Sequence, residues 1–290
     1  MRSKFPKKSF AKKSFGQNFL VDENYISRII ATLKPEPGET IIEIGAGRGA
    51  LTRGLLASGA NIVAIELERD MIAYLKDEFA GKENFQLIES DAIKIDYAKI
   101  SNFKLQTSNS ENHEPQTADR KLKIKLVANL PYNISTAILQ KLIEQRGYFS
   151  EMILMFQREV VERITAQVGN SERGFLSVLT QNYLDAELLF EVPPSAFRPA
   201  PKVWSAIVRL TPKEESPIAD DKLFRKIISA AFLQKRKTII NNLKSLRFED
   251  QTQIDWMEIL KLSEIESGRR AENLTLEEWR NVYKTVEKSM

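Results

Sequence analysis

Ile41-Ile42-Glu43-Ile44 runs directly into Gly45-Ala46-Gly47-Arg48-Gly49-Ala50-Leu51-Thr52, and this junction restricts the possible folds more than any other stretch of the chain. A short apolar run stopped by glycines reads as a buried strand entering a tight loop and then a helix. Glycines at 45, 47 and 49 permit positive φ and let the backbone approach a ligand closely. The stretch also fits the G-x-G-x-x-G/A pattern of dinucleotide sites through Gly45, Gly47 and Ala50. The loop alone therefore leaves NAD and S-adenosylmethionine both open.

The next two strands carry matching groups. Asn61 to Leu67 ends at Glu66, about 20 residues past the glycine loop, where an acid can accept both ribose hydroxyls of an adenosine-bearing cofactor. Phe85 to Glu89 ends in Ser90-Asp91-Ala92, which puts a second acid on the same edge, able to bond an adenine amine. One such acid is usually a solvated strand-end charge. Two in this order, beside a glycine loop, point to a cofactor.

A fourth strand, Leu122 to Ala128, leads into Asn129-Leu130-Pro131-Tyr132. An exocyclic adenine amine is a poor nucleophile because its lone pair is delocalised into the ring. Methylating it requires acceptors that favour the pyramidal amine and an aromatic face to support the extracted base. The side-chain carbonyl of Asn129 and the main-chain carbonyl at Pro131 suit the first task. Tyr132 suits the second.

The 290-residue chain has no cysteine and one histidine, which removes structural zinc, disulfides and thiol catalysis from consideration. No run approaches the roughly 20 apolar residues of a membrane span, so a soluble, cytoplasmic protein is expected. The net charge of +4 is segregated. Residues 1–20 hold six basic residues and no acid, and residues 222–247 hold eight and no acid, leaving the rest of the chain net negative. Such segregation suggests a polyanion docked at two places, one of them a basic helix around Lys235, Arg236 and Lys237.

Taken together these motifs resemble the ribosomal RNA adenine N6,N6-dimethyltransferases of the small-subunit type. The resemblance spans almost the whole chain. It rests on Gly16-Gln17-Asn18-Phe19-Leu20, the glycine loop, Glu66, Ser90-Asp91-Ala92 and Asn129 to Thr136. It continues through Phe156 to Val160, Pro193-Pro194-Ser195-Ala196-Phe197-Arg198-Pro199-Ala200-Pro201-Lys202-Val203, and Arg270-Ala271-Glu272-Asn273-Leu274. It implies a pocket for S-adenosylmethionine lined by Asn18, Leu20, Gly45, Gly47, Glu66, Asp91 and Asn129. It implies a catalytic set of Asn129, Pro131, Tyr132 and Phe197, with Tyr132 and Phe197 sandwiching the target adenine. Phe197, in a proline-rich loop, reads as an exposed aromatic held rigid. RNA binding is expected at Lys235, Arg236 and Lys237, no metal is expected, and the implied substrate is small-subunit ribosomal RNA within a pre-30S particle, met by a monomer.

The expected fold is a Rossmann-like class I methyltransferase sheet with a small all-helical C-terminal domain. Residues 1–20 form a basic tail leading into the cofactor motif, 21–212 the catalytic domain, and 213–290 a helical RNA-binding domain. Further strands are expected at Met152 to Phe156, Ala186 to Val192 and Ser205 to Leu210. Thr211 to Pro217 reads as a linker, and Thr275 with Glu278 as a capping box opening the last helix. Two stretches depart from the family. Residues 101–121 read as a polar, disordered insertion, and Glu172 to Ser177 differs in order, so Arg173 receives no role. A resistance-type methylase of large-subunit RNA and a non-catalytic RNA-binding relative remain alternatives. A NAD-dependent dehydrogenase fits only the glycine loop and Glu66, and DNA adenine methylases usually carry proline where Leu130 stands.

Overall fold

A computed structural model describes residues 18–101, 124–214, 218–248 and 254–290. The basic stretch before Asn18 and the expected insertion beyond Ser101 lie outside the described residues. Two compact units emerge, one of residues up to Arg158 together with Glu187–Pro212, the other of Glu159–Ala186 together with Lys213–Met290.

In chain order the elements are β1 (Phe19–Leu20), α1 (Glu23–Leu33), β2 (Thr40–Ile44), α2 (Ala50–Ala57), β3 (Asn61–Glu66), α3 (Arg69–Glu78), β4 (Phe85–Glu89), α4 (Tyr97–Ser101), β5 (Ile124–Asn129), α5 (Ser135–Glu144) and β6 (Phe149–Gln157). There follow α6 (Arg158–Thr165), α7 (Phe175–Tyr183), β7 (Leu184–Val192), β8 (Phe197–Arg198), β9 (Ser205–Pro212), α8 (Asp221–Ala231), α9 (Ile239–Leu243), α10 (Trp256–Leu262) and α11 (Leu276–Ser289). Seven strands make one sheet in the order β4-β3-β2-β5-β6-β9-β7. The pairs from β4 to β6 are parallel, and β9 joins β6 antiparallel. The strands β2, β3 and β5 are continuous aliphatic runs because helices cover both faces of a parallel sheet. Ile41, Ile42, Ile62, Val63, Leu126 and Val127 are all buried. Each such side chain contributes about 1.5–3 kcal/mol relative to leaving it in water. Among the described residues β1 pairs only with β8, as a separate two-residue antiparallel ribbon with Phe19 opposite Arg198 and Leu20 opposite Phe197.

The second unit takes in residues 159–186, a difference from the expected boundary at 212–213. The reason is packing. Tyr183 at the end of α7 meets Phe224 of α8 edge to face with centroids 6.1 Å apart, and Phe224 meets Tyr283 of α11 at 6.1 Å. Such pairs add to the area they bury. Arg173 is buried within this unit and donates to the Ala166 carbonyl at 2.9 Å and to Gln181 Oε1 at 2.7 Å, which is a structural use. The expected capping box is present, with Glu278 N–H on Thr275 Oγ1 at 3.1 Å and Thr275 N–H on Glu278 Oε2 at 2.7 Å. The basic helix is not. Lys235, Arg236 and Lys237 occupy an exposed turn between α8 and α9. Buried Asn242 holds that turn, its Nδ2 donating to the carbonyls of Ala231 and Gln234 and its Oδ1 accepting from Gln234 N–H. An asparagine bonding main chain in this way ends a helix.

Candidate active site

The parallel strands deliver their carboxyl ends to one edge, and a cavity of about 650 Å³ opens there, within the range of small-ligand sites. Its wall includes Asn18, Leu20, Gly45, Gly47, Glu66, Asn129, Pro131 and Tyr132. The strand ends, the glycine loop and the β1 segment thus meet around one cavity. Gly47 has φ 54°, and a Cβ there would press on the Phe19 ring at 3.1 Å. At Gly49, with φ 69°, a Cβ would collide with the Phe79 ring at 2.7 Å. Both positions require glycine for conformation and for space.

Glu66 accepts three main-chain N–H groups, from Gly47 at 2.9 Å, Leu67 at 2.9 Å and Glu68 at 3.0 Å. A carboxylate offers about four acceptor positions, so Glu66 tethers the glycine loop and keeps one position for a further donor. On the adjacent strand β2 lies the buried Glu43, also in the cavity wall, which accepts from Thr52 Oγ1 at 2.6 Å. Burial lifts the Glu43 carboxyl from the ordinary 4.5 to about 7. The Glu66 charge adds to the rise, while the Thr52 bond and Arg53 oppose it.

Asn129 ends β5, and its Nδ2 donates to the Asn18 carbonyl at 3.2 Å. A carbonyl only accepts, so this bond assigns the amide and keeps Oδ1 as the acceptor. The Pro131 carbonyl accepts Ile134 N–H at 3.2 Å, and its second lone pair remains. The Tyr132 hydroxyl is 2.6 Å from Ser205 Oγ at the start of β9. Burial raises the Tyr132 pKa, against the Ser205 bond, so the ring stays neutral.

Two expected residues lie elsewhere. Asp91 is not in the cavity wall. Its Oδ1 accepts Ile93 N–H at 3.0 Å in a local turn, on the strand end next to Glu66, whose carbonyl takes the Ser90 N–H. Phe197 is 0% exposed, which corrects the reading of it as an exposed aromatic. Pairing with Leu20 across the β1·β8 ribbon places its ring in the core with Leu20, Ile26 and Val192. Sequence reasoning missed Glu43, Arg48, Arg198 and Ser205. Glu43 was detectable as an acid inside an apolar run. Arg48 lies over the Phe19 ring at 4.8 Å, a cation–π contact of two cavity residues. Arg198 reaches the cavity from β8.

A mostly parallel sheet with a glycine loop, an acid on the next strand and an Asn-Leu-Pro-Tyr strand end defines a class I methyltransferase. The profile of the ribosomal RNA adenine dimethylase family matches residues 8–288, and the chain belongs to that family. It is 42% identical over 245 residues to the ribosomal RNA small subunit methyltransferase A of Hahella chejuensis, covering 84% of each chain. It is 40% identical over 279 residues to the protein of that name from Saccharophagus degradans, covering 95% of this chain and 94% of the relative. Among solved structures, a dimethyladenosine transferase from Plasmodium falciparum superposes with a TM-score of 0.72 at 26% identity, over 94% of this chain and 98% of that one. The 23S rRNA methyltransferase ErmE shares the fold, with a TM-score of 0.63 at 21% identity over 93% of this chain and 100% of that one.

Proposed function

We propose that this protein uses S-adenosylmethionine to dimethylate N6 of two adjacent adenosines in the 3′-terminal hairpin loop of small-subunit (16S) ribosomal RNA, acting as a cytoplasmic monomer on a pre-30S particle. The observation that carries the reading is the fixed amide of Asn129, an oriented acceptor in the wall of a cofactor-sized cavity beside Pro131 and Tyr132. The family membership and the small-subunit relatives supply the substrate class.

The residues fit the cofactor. The cavity has a tight-turning glycine loop, a strand-end carboxylate with acceptor capacity left and a buried acid in its wall. Gly45, Gly47, Glu66, Asn18 and Leu20 would hold it, with Asp91 on the next strand end taking its adenine edge. Bound there, S-adenosylmethionine supplies a sulfonium methyl that is open to in-line attack. Asn129 Oδ1 and the Pro131 carbonyl accept the two N–H bonds of the target amine, which favours the pyramidal nitrogen and frees its lone pair. Tyr132, anchored through Ser205, gives the base a neutral aromatic face. The methylated ammonium loses its proton to water, and no side chain is needed as base. Rate enhancement then comes mainly from positioning.

Mass spectrometry of ribosomal RNA tests this reading, using cells lacking their own enzyme with and without this protein supplied. The expected result is dimethylation of the two small-subunit adenines, absent with Asn129→Ala. Methyl groups on a large-subunit adenine, with the small-subunit pair untouched, would establish the resistance-type alternative instead.

A further inference from the structure

Residues 198–204, Arg-Pro-Ala-Pro-Lys-Val-Trp, lead from β8 into β9. Arg198 opens the segment in the cavity wall, its NH1 bonded to the carbonyls of Ser195 and Phe197 at 3.0 and 2.8 Å. The other end is an indole in solvent. Trp204 is 44% exposed, whereas the remaining tryptophans of the chain, Trp256 and Trp279, are 5% and 0% exposed. Its backbone is fixed even so. The Trp204 carbonyl accepts the Arg158 N–H at 2.9 Å, and the next residue, Ser205, is paired with Gln157 and bonded to the Tyr132 hydroxyl. The segment therefore holds a large aromatic surface in water, one residue from the anchor of the ring assigned to the target base. Lys202 is also exposed.

Leaving an indole this open forgoes burial that a tryptophan ordinarily finds in a core or an interface. Extruding an adenine from a loop breaks its stacking, a cost of a few kcal/mol, and leaves its neighbour with a bare face. An aromatic platform with cations in the same segment matches that need. Single-stranded nucleic acid offers alternating π-faces and phosphates, and the segment offers an indole with Arg198 and Lys202. Burial of Phe197 leaves this aromatic surface to Trp204.

We propose that Trp204 stacks on a nucleotide adjacent to the adenine entering the cavity, with Arg198 and Lys202 facing the neighbouring phosphates. This rests on the RNA-substrate reading above and makes Trp204 a positioning residue. All three tryptophans emit, but Trp256 and Trp279 are buried, so quenching by direct contact with a base reports on Trp204.

The test titrates full-length protein with a hairpin RNA bearing two adjacent loop adenines, and in parallel measures methylation of small-subunit particles. Wild-type fluorescence should be quenched on RNA binding. Trp204→Ala should remove the quench, weaken RNA binding about 5- to 150-fold, the scale of one base–aromatic stack, and raise KM for RNA with kcat and S-adenosylmethionine affinity unchanged. Trp204→Tyr should recover most of the affinity. If Trp204→Ala binds and methylates RNA like wild type, the proposal is wrong and the methyltransferase reading stands. If it lowers methylation of particles but binds hairpin RNA like wild type, Trp204 contacts another part of the particle and the proposal is again wrong. A wild-type protein that neither binds nor methylates either RNA overturns the substrate reading and this proposal with it.

Discussion

The parallel edge of the sheet and the β1·β8 ribbon both line the cavity, but they are held by different amounts of structure. Along the edge, β2 is paired on both sides, with β3 over five positions and with β5 over four. Glu66 then binds the glycine loop to the end of β3 through the Gly47 N–H, its carboxylate being held in turn by the Leu67 and Glu68 N–H groups. The ribbon has two paired positions and two further bonds from Val21 and Asp22 to the Ala196 carbonyl. A heavily paired wall and a lightly paired one thus share the same site. The first fixes where chemistry occurs, and the second opens locally at lower cost.

Hydrogen exchange gives the largest contrast. Amides of Ile42 to Ile44 and Val63 to Ile65 should exchange near the limit of global unfolding, and those of Leu20 and Arg198 orders of magnitude faster. Equal protection would erase the distinction between the two walls. The next effect is on stability. Because the Glu43 pKa is raised to about 7 in the fold, the folded state binds that proton more tightly than the unfolded chain. Stability on this account is complete below the ordinary 4.5 and is lost as pH climbs through 7. Urea denaturation should register a loss of about 3 kcal/mol across that window. Glu43→Gln, which keeps an acceptor for Thr52, should flatten the slope.

For the chemistry, Asn129→Ala should lower the methylation rate by about 10²-fold or more, with S-adenosylmethionine affinity measured in parallel. Near-normal turnover would remove Asn129 from the mechanism. Glu66→Ala should weaken S-adenosylmethionine binding by roughly 1.5–3 kcal/mol by calorimetry, the scale of bonds to a charged group, and should raise exchange at the Gly47 amide. Calorimetry that detects NAD but no S-adenosylmethionine would defeat the cofactor assignment. The smallest effect is expected from Tyr132→Phe, which keeps the aromatic face and loses the bond to Ser205, at about 0.5–1.5 kcal/mol in thermal or chemical denaturation. A collapse of activity in that variant would mean that the hydroxyl acts on the substrate.

The paired wall was largely legible in the sequence. Parallel strands share a direction, so groups at their ends must share an edge, and Gly45, Glu66 and Asn129 could be placed together from order alone. Exposure along residues 193–204 was not legible. Burial of Phe197 depends on pairing with Leu20, and the placement of Trp204 on the bond from Arg158; both partners are distant in sequence, and no local pattern encodes them. The basic triad illustrates a related limit. Its residues fit a helical run, but Asn242, a few positions on, bonds the chain into a turn. The grouping of residues 159–186 with the C-terminal helices likewise arises from aromatic contacts between distant segments.

The bond between Asn129 and Asn18 also bears on which substitutions the site tolerates. The acceptor at position 18 is a main-chain carbonyl, which every amino acid possesses. The orientation of the Asn129 amide is therefore insensitive to which side chain stands at position 18 and sensitive to the path of the backbone there. Exchanges of Asn18 that leave the ribbon's course unchanged preserve that orientation, whereas an insertion or deletion of one residue between Asn18 and Leu20 would shift the carbonyl and release the amide.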